Sequence, residues 1–253
     1  MAEYSATFYS AQEAGSRRSA EAVVPLVMER VKPRSVVDVG CGVGAWLSVF
    51  EAAGVTDILG IDGSYVDREQ LCIDPERFRP HDLTQPLETE RTFDLVVSLE
   101  VAEHLPPSCA EPFVESLTRL GPAVLFSAAI PYQGGKHHVN EQWPEYWADL
   151  FAARGYEALD CIRPVIWDNP DVDWCYAQNV LLYSQRDPSA TGPIGRPRPL
   201  SLVHPRKYLE QVDPEHITLR NLGRWLPAFL AGVPKILRNT VRRRSAGADT
   251  WSK

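Results

Sequence analysis

The sequence predicts an α/β fold in which a doubly wound, mostly parallel sheet carries helices on both faces. Short apolar, β-branched segments alternate with stretches of helical periodicity, which is typical of parallel strands joined by crossover helices. Glycine and acidic residues directly follow several of these segments, and parallel strands bring such residues to one edge of the sheet. With 253 residues, 44 % of them hydrophobic, the chain is long enough for one such domain and an appendage.

The predicted elements begin with a helical entry over residues 1–35, where apolar residues from Val23 to Val31 share one helical face. The main predicted domain covers residues 36–185. Its principal elements are, in order, strand 35–40, helix 45–54, strand 57–62, strand 93–100, strand 122–130, helix 145–156 and strand 174–184. Gly54 is the expected C-terminal stop of the first of these two helices.

The composition changes after residue 185. Residues 186–205 contain five prolines and are predicted to be an extended linker, and residues 206–253 are predicted to form a basic amphipathic helical tail. From residue 186 onward, 13 Lys and Arg face 5 Asp and Glu, a net charge of +8, whereas residues 1–185 carry −15. We expect the tail to dock on this acidic body or on that of a second copy in a homodimer, with peripheral contact to an anionic membrane as the alternative.

Charge and cysteine usage exclude several classes of protein. An acidic body repels phosphates, so no nucleic-acid partner is expected. The five cysteines include no Cys-x-x-Cys pair, which disfavours a disulfide framework or a cysteine-rich zinc site and favours the cytoplasm. The first residues lack the order of a signal peptide, and no integral membrane segment is recognisable. The sequence therefore predicts a cytoplasmic protein.

A glycine-rich turn, DVGCGVG at 38–44, follows the first predicted strand. Glycine at Gly40, Gly42 and Gly44 allows the backbone to approach a ligand where a Cβ would collide. Gly40, Gly42 and Ala45 also fit a dinucleotide fingerprint. Asp38 separates the two interpretations, because a carboxylate there would repel a pyrophosphate but suits a ligand that carries an ammonium group.

Two further acids follow the next strands. Asp62 ends the second predicted strand and is placed to accept hydrogen bonds from ribose hydroxyls. Asp82, followed by Leu83 in the sequence HDL, is placed at the next strand end to receive an adenine amino group. A dinucleotide site would have no role for Asp38 and the HDL sequence, so the set favours a ligand that presents an ammonium group together with ribose hydroxyls and an adenine amino group.

Together these motifs resemble the class I S-adenosylmethionine-dependent methyltransferases, whose fold is Rossmann-like, from about Val36 to Ser184. By this resemblance, VVDVGCGVGAW is the methionine-binding loop, ILGIDGS holds the ribose acid, HDL lies beside the adenine, and FDLVVSLEVAEHLPP is the strand beside the reaction centre. The resemblance implies S-adenosylmethionine as cofactor and residues 1–35 as a helical lid. The implied cofactor-binding residues are Asp38, Gly40, Gly42, Gly44, Asp62, Asp82, Leu83 and Glu100.

Methyl transfer to a hydroxyl group requires a base, and two clusters supply candidates. Glu100-Val101-Ala102-Glu103-His104 follows the fourth strand, and GGKHHVNEQW, which contains His138, follows the fifth. His104, His138 and Glu103 are the predicted catalytic residues. The first cluster also resembles that of quinone-biosynthesis O-methyltransferases, in which these positions can hold a divalent metal. A metal on Glu100, Glu103 and His104 is the less favoured interpretation, because Glu-His also follows this strand in relatives without metal.

The second cluster bears on the methyl acceptor. GGKHHVNEQWPEYW resembles a segment of bacterial methyltransferases encoded among sugar and cell-surface polysaccharide enzymes. The expected reaction is therefore methyl transfer to a small-molecule acceptor, at a hydroxyl of a sugar, glycan or other natural product. Methylation of a small-molecule amine is the alternative within the class, and a non-catalytic, cofactor-binding adaptor at a membrane surface is the alternative from another class.

Two local interpretations accompany this reading of the second cluster. Asn140 is expected to cap the helix that starts near Pro144. Four tryptophans are candidates for stacking on a sugar or ring, although aromatic residues at such places more often belong to the core: Trp143, Trp147, Trp167 and Trp174.

Overall fold

The computed structural model describes residues 6–88, 90–185 and 201–212. Its helices are α1 (Ala6–Val31), α2 (Ala45–Ala52), α3 (Ala110–Leu120), α4 (Pro144–Ala152), α5 (Arg163–Ile166), α6 (Trp174–Asn179) and α7 (Pro205–Val212). Its strands are β1 (Ser35–Val39), β2 (Asp57–Asp62), β3 (Phe78–Pro80), β4 (Leu95–Leu99), β5 (Ala123–Ser127), β6 (Tyr156–Leu159) and β7 (Leu181–Gln185).

All seven strands form one sheet in the order β3-β2-β1-β4-β5-β7-β6. The first five strands pair in parallel, and β7 runs antiparallel between β5 and β6. The predicted α/β class and the doubly wound, mostly parallel sheet are confirmed. Because the chain moves outward from β1 in one direction and from β4 in the other, a crevice opens beyond the carboxyl ends of these two strands.

Helices cover both faces of the sheet, as the sequence predicts. Side chains alternate along a strand, so Val36 of β1 belongs to one apolar layer and Val37 to the other. Helices α1, α2 and α6 contribute to the first layer, and α3 and α4 contribute to the second. Every residue of β4 and β5 is buried, which explains why these strands are continuous apolar runs.

The predicted strand 174–184 is wrong over its first half, where the chain forms helix α6. A short apolar run has no period that separates a helix from a buried strand. The helical turn places Tyr176 against Trp46, with ring centroids 5.2 Å apart, and lets its hydroxyl bond to Ser16. Packing against α1 and α2 thus decides the conformation, and only residues 181–185 continue into the sheet.

The predicted helix 145–156 ends earlier than expected, at Ala152. Gly155 takes the left-handed conformation, with φ +80°, and turns the chain into β6, which begins at Tyr156. The sequence analysis missed this edge strand.

The chain divides into two compact units, at residues 1–204 and 205–253. The sheet and its covering helices belong to the first unit, and α7 is the described part of the second. Most of the predicted linker and tail lies outside the described residues, and so do the apolar residues at helical spacing from Leu222 to Val241 that predict the amphipathic tail. Dimerisation and membrane contact therefore stay predictions. Within the described ranges, no helix is long and apolar enough to cross a bilayer.

Candidate functional site

The candidate site lies where β1 and β4 end, at the crevice between the two halves of the sheet. The glycine-rich turn 40–44 leaves β1 here, and the segment 100–104 leaves the adjacent β4. Topology therefore brings together the first and fourth predicted motifs, which lie about sixty residues apart in the sequence.

The three glycines of the turn serve different purposes, although all have positive φ angles, at +89°, +53° and +83°. A Cβ on Gly40 would lie 2.3 Å from the Val101 side chain, so this glycine is required by packing within the protein. A Cβ on Gly44 would lie 3.0 Å from Ile73. A Cβ on Gly42 would have no described atom within 4 Å. Open space beside a backbone of this shape fits a ligand that packs directly on Gly42.

The carboxylates of Asp38 and Asp62 are both buried, at 3 % and 5 % exposure. Burial, and secondarily the negative charge of Asp62, raises the pKa of Asp38 well above its usual range. No hydrogen bond joins the Asp38 carboxyl group to any residue that the structure describes. A buried acid in this state fits a ligand that brings a positive charge, such as the ammonium group of an amino acid.

Asp62 has a structural role in addition to its predicted one. Its carboxylate accepts hydrogen bonds from the backbone N–H groups of Gly42, at 2.7 Å, and Gly63, at 2.6 Å. It therefore fastens the glycine-rich turn to the end of β2. The Tyr65 hydroxyl also donates to Asp62, at 2.6 Å, and thus stands where a ribose hydroxyl would be expected to bind.

The HDL sequence directly follows β3, as predicted for a strand end. Asp82 is exposed, and its carboxylate accepts hydrogen bonds from the Thr84 hydroxyl and N–H, at 2.8 and 3.0 Å. These bonds lower the pKa of Asp82, so it is ionised at neutral pH. Leu83 packs partly buried against the second apolar layer.

Glu100 is held rigidly at the end of β4. Its φ angle is +55°, and its N–H donates to both the carbonyl and the hydroxyl of Ser127, at 3.0 Å each. Its carboxylate accepts hydrogen bonds from the side-chain amides of Gln133, at 2.8 Å, and Asn179, at 3.0 Å. Sequence reasoning missed both amides, because single Gln and Asn residues in separate segments carry no recognisable spacing.

Glu103 is fully buried in the segment that follows β4. Its side-chain oxygens have no hydrogen-bond partner among the described residues. Burial, followed by the charge of Glu100, raises the pKa of Glu103 well above its usual range, so its protonated form is favoured. The Glu103 carbonyl accepts from the N–H groups of Val139 and Asn140, at 2.8 and 3.0 Å, and ties the β5–α4 loop to this segment.

The expected helix cap at Asn140 is wrong. Trp143 is the N-cap residue of α4, and no side chain caps that terminus. Asn140 is instead buried within the loop, and its backbone N–H donates to the Glu103 carbonyl four residues before the helix begins.

His104 and His138 meet edge to face, with ring centroids 4.8 Å apart. Burial, and then the neighbouring His138, lowers the pKa of His104 below its usual value, so His104 is neutral at pH 7. His138 Nδ1 lies 3.0 Å from a Glu141 carboxylate oxygen, and Gly135 leaves room for the ring, because a Cβ there would lie 2.1 Å from Nε2. The two predicted clusters thus form one site.

Glu141 organises the loop that carries His138. Besides the imidazole, its carboxylate accepts the N–H groups of Tyr132 and Gly134, at 2.8 Å each. The sequence analysis assigned Glu141 no part in the site, because its partners are backbone groups several residues away.

One group of described residues brings potential metal ligands together: Glu103, His104 and His138, with ligand atoms within 4.8 Å of one another. The set predicted from sequence contained Glu100 in place of His138. The Glu100 carboxylate is instead engaged by two amides, so the structure replaces one member of the predicted set.

The remaining aromatic candidates, and two arginines of α1, lie outside these clusters. Trp147 is a core residue, 2 % exposed, so the core interpretation holds for it and stacking on a ligand does not. Trp143 is 42 % exposed at the end of the β5–α4 loop, here called the histidine loop because it carries His137 and His138. Near the start of the chain, Arg17 pairs with Glu21 of the same helix. Arg18 pairs with Asp173, which anchors α1 at the start of α6.

Fold and site together define a class I S-adenosylmethionine-dependent methyltransferase. A family model described as "Methyltransferase domain" matches residues 11–151, more than half of the chain, and the chain belongs to that family. No curated protein sequence is significantly similar to it.

Solved methyltransferase structures share the fold. The sugar N-methyltransferase KedS8 from Streptoalloteichus sp. ATCC 53650 is 17 % identical, with a TM-score of 0.55 over 74 % of this chain and 94 % of its own. The magnesium protoporphyrin IX methyltransferase ChlM from Synechocystis PCC 6803, solved with bound SAH, is 16 % identical, with a TM-score of 0.52 over 74 % and 90 % of the two chains.

Proposed function

We propose that the protein transfers the methyl group of S-adenosylmethionine to a hydroxyl group of a sugar, glycan or related small molecule. When bound, the cofactor supplies an electrophilic methyl group on a positively charged sulfur. The acceptor oxygen forms a bond to the methyl carbon as the carbon–sulfur bond breaks, and the sulfur keeps the electron pair. The protein must align the acceptor, exclude water and take up the hydroxyl proton.

The residues at the β1 and β2 ends fit the cofactor. Asp38 would bind its ammonium group, because the buried carboxyl has no cationic partner among the described residues. The open face of Gly42 would receive the amino-acid moiety. Asp62 would bind the ribose once the Tyr65 hydroxyl gives up its position, and Asp82 would bind the adenine amino group. The helix before β1 would contribute the lid.

Glu100 joins this group as a cofactor-binding residue. Two amides occupy only part of its acceptor capacity, since an ionised carboxylate accepts about four hydrogen bonds. The remaining lone pairs are available to a cofactor donor.

The observation that carries the choice of a hydroxyl acceptor is the pair of imidazoles at the reaction centre. When His138 Nδ1–H donates to Glu141, the Nε2 atom of the same ring carries the lone pair and can take a proton. Glu141 then stabilises the imidazolium that forms. His104, kept neutral by burial, provides a second acceptor for the same proton. An amine acceptor in its neutral form attacks through a free lone pair without first losing a proton, so it would have less need of two such bases.

The acceptor class is tested with matched pairs of sugars that differ only in a hydroxyl or an amino group at one carbon. The wild-type protein and S-adenosylmethionine are incubated with each member, and the released S-adenosylhomocysteine is measured. We expect release with the hydroxyl member at least tenfold above the amine member. The likeness to a sugar N-methyltransferase makes the amine the competing acceptor, and the reverse preference would support it.

Binding of the cofactor is expected to release a proton from Asp38. In the free protein the raised pKa of Asp38 favours the protonated carboxyl group. The ammonium group of the cofactor favours the carboxylate, so the pKa of Asp38 is lower in the complex. The affinity for the cofactor should therefore rise as the pH rises from the pKa of Asp38 in the complex to its pKa in the free protein. Calorimetry in two buffers of different ionisation enthalpy, repeated over a series of pH values, measures the proton count. The Asp38→Asn variant should lose both the proton release and the pH dependence, and an unchanged proton count would contradict the assignment.

A divalent metal is the second chemistry that the acceptor side fits, since Glu103, His104 and His138 are suitable ligands. A metal there would hold the acceptor oxygen and ease its deprotonation. The raised pKa of Glu103 argues against this role, because a protonated carboxyl is a poor ligand. We expect turnover to survive dialysis against a chelator. Loss of turnover that magnesium, manganese or zinc restores would establish the metal site instead.

The predicted biosynthetic role and cytoplasmic location are part of the same proposal. They rest on the sugar-related resemblance and on the cysteine usage.

A further inference from the structure

Residues 201–204, here called the strap, pack on the sheet unit although the sequence predicts a linker there. At one end, the Ser201 N–H donates to Glu145 in the first turn of α4, at 2.9 Å, and the Ser201 hydroxyl contacts the same carboxylate. At the other end, His204 is buried and its N–H donates to Gln178 Oε1 of α6, at 2.8 Å. The strap thus connects α4 with α6, whose residue Asn179 donates a hydrogen bond to Glu100.

The His204 ring secures the second attachment. Its Nε2 atom lies 2.8 Å from the Trp167 carbonyl, and the two rings lie 4.8 Å apart. The backbone donor is therefore fixed in place independently of its own hydrogen bond.

A chain of buried amides leads from the strap to Glu100. Gln178 Nε2 donates to Gln133 Oε1, at 3.1 Å, and to Asn179 Oδ1, at 3.0 Å. Asn179 Nδ2 donates to Gln133 Oε1, at 2.8 Å, and to Glu100, at 3.0 Å. Gln133 Nε2 donates to the other Glu100 oxygen, at 2.8 Å. Each amide thus donates in the direction of the carboxylate.

The strap fixes the orientation of the first amide in this chain. An amide can turn by 180° and exchange its oxygen and nitrogen, and its neighbours decide which orientation is stable. The His204 N–H can only donate, so it holds the Gln178 oxygen towards the strap and the Gln178 nitrogen towards Gln133 and Asn179. The Gln178 nitrogen engages the oxygens of those two residues, and the Ile130 N–H also donates to the Gln133 oxygen, at 3.2 Å. Both residues therefore have their nitrogens left for Glu100.

Loss of the strap donor would disturb that order. The Gln178 oxygen would then be a fully buried acceptor that has lost its partner, which is costly. Rotation of the Gln178 amide would present oxygen to oxygen at Gln133 and Asn179. Because the Ile130 N–H opposes rotation of Gln133, this repulsion would displace the two side chains that hold the Glu100 carboxylate.

We infer that the strap is a positioning element of the cofactor site: the His204 N–H orients Gln178, whose amide supports Gln133 and Asn179 in holding the Glu100 carboxylate in place. The inference rests on the proposed function, in which Glu100 binds S-adenosylmethionine. A segment at the end of the predicted linker is then required for full cofactor affinity, although it does not touch the cofactor.

The test compares full-length His204→Pro, which removes both the N–H donor and the imidazole, with His204→Ala, which removes the imidazole alone. The difference between the two variants therefore reports the backbone hydrogen bond. Calorimetry should show S-adenosylmethionine affinity about three- to tenfold lower for His204→Pro than for His204→Ala, as expected for one hydrogen bond. Equal affinities in the two variants would overturn the inference.

A double-mutant cycle with Glu100→Ala separates positioning from a general loss of structure. If the strap acts through Glu100, His204→Pro should weaken binding by less than twofold once Glu100 is alanine. Independent effects would overturn the inference. Gln178→Leu breaks the same chain at its second member and should reproduce the loss if His204→Pro fails to fold. A wild-type protein that binds no S-adenosylmethionine would refute the proposed function, whereas normal wild-type binding with an unaffected His204→Pro refutes the strap alone.

Discussion

Gly42→Val is expected to abolish detectable S-adenosylmethionine binding. The glycine-rich turn is open beside Gly42, with no described atom within 4 Å of a Cβ, so the protein itself leaves room for the side chain. The valine would instead occupy the space of the cofactor's amino-acid moiety. The backbone of residue 42 has a positive φ angle, +53°, so the valine lowers the free energy of unfolding by about 1–2 kcal/mol. This loss of stability does not explain a complete loss of binding.

Gly155→Val is the matched control for that backbone cost. Gly155 has φ +80° and equally open space around its Cβ, but it lies in the turn between α4 and β6, at the opposite edge of the sheet. Both variants should melt at similarly reduced temperatures, and only Gly42→Val should lose calorimetric binding. Retention of binding in Gly42→Val would mean that the cofactor does not pack on this turn.

Replacing His138 by alanine is expected to lower turnover by about 10²–10⁴-fold, the usual contribution of a general base. Cofactor affinity should change little, because His138 lies on the acceptor side. His104→Ala should lower turnover as well, and its effect should grow in a Glu141→Gln background, where His138 loses its carboxylate partner. Single-turnover methyl transfer measures the effect on the chemical step.

His137→Ala is the control for these variants, since His137 is the adjacent imidazole and is exposed on the same loop. Its turnover should match that of the wild type. In the wild type, the rate should fall as pH drops through the lowered pKa of His104, because protonation removes the lone pair. Wild-type turnover in both His104→Ala and His138→Ala would exclude imidazole as the base.

The sequence predicts the parts of the site that depend on local spacing. Two of these parts directly follow a strand, namely the glycine-rich turn and the Glu100–His104 segment, and Asp62 is the last residue of β2. A parallel sheet must bring residues at its strand ends to one edge. The apolar runs of β4 and β5 are equally readable, because both strands are buried on both faces.

The remaining parts depend on tertiary contacts that leave no local pattern. Helix α6 reads as a strand because its apolar residues pack on α1 and α2 rather than follow a period. The amides that hold Glu100 are single residues on distant segments. The strap looks like linker because its main contacts use backbone N–H groups, which any non-proline residue supplies.

The most direct test of the proposed function is the fate of a labelled methyl group. Wild-type protein and Gly42→Val are each incubated with S-adenosylmethionine that carries carbon-13 in its methyl group, together with a sugar acceptor, and the product is examined by NMR. We predict a carbon-13 signal at the chemical shift of an O-methyl ether, with wild-type protein only. Label on nitrogen, or tight cofactor binding without any labelled product, would contradict transfer to a hydroxyl group.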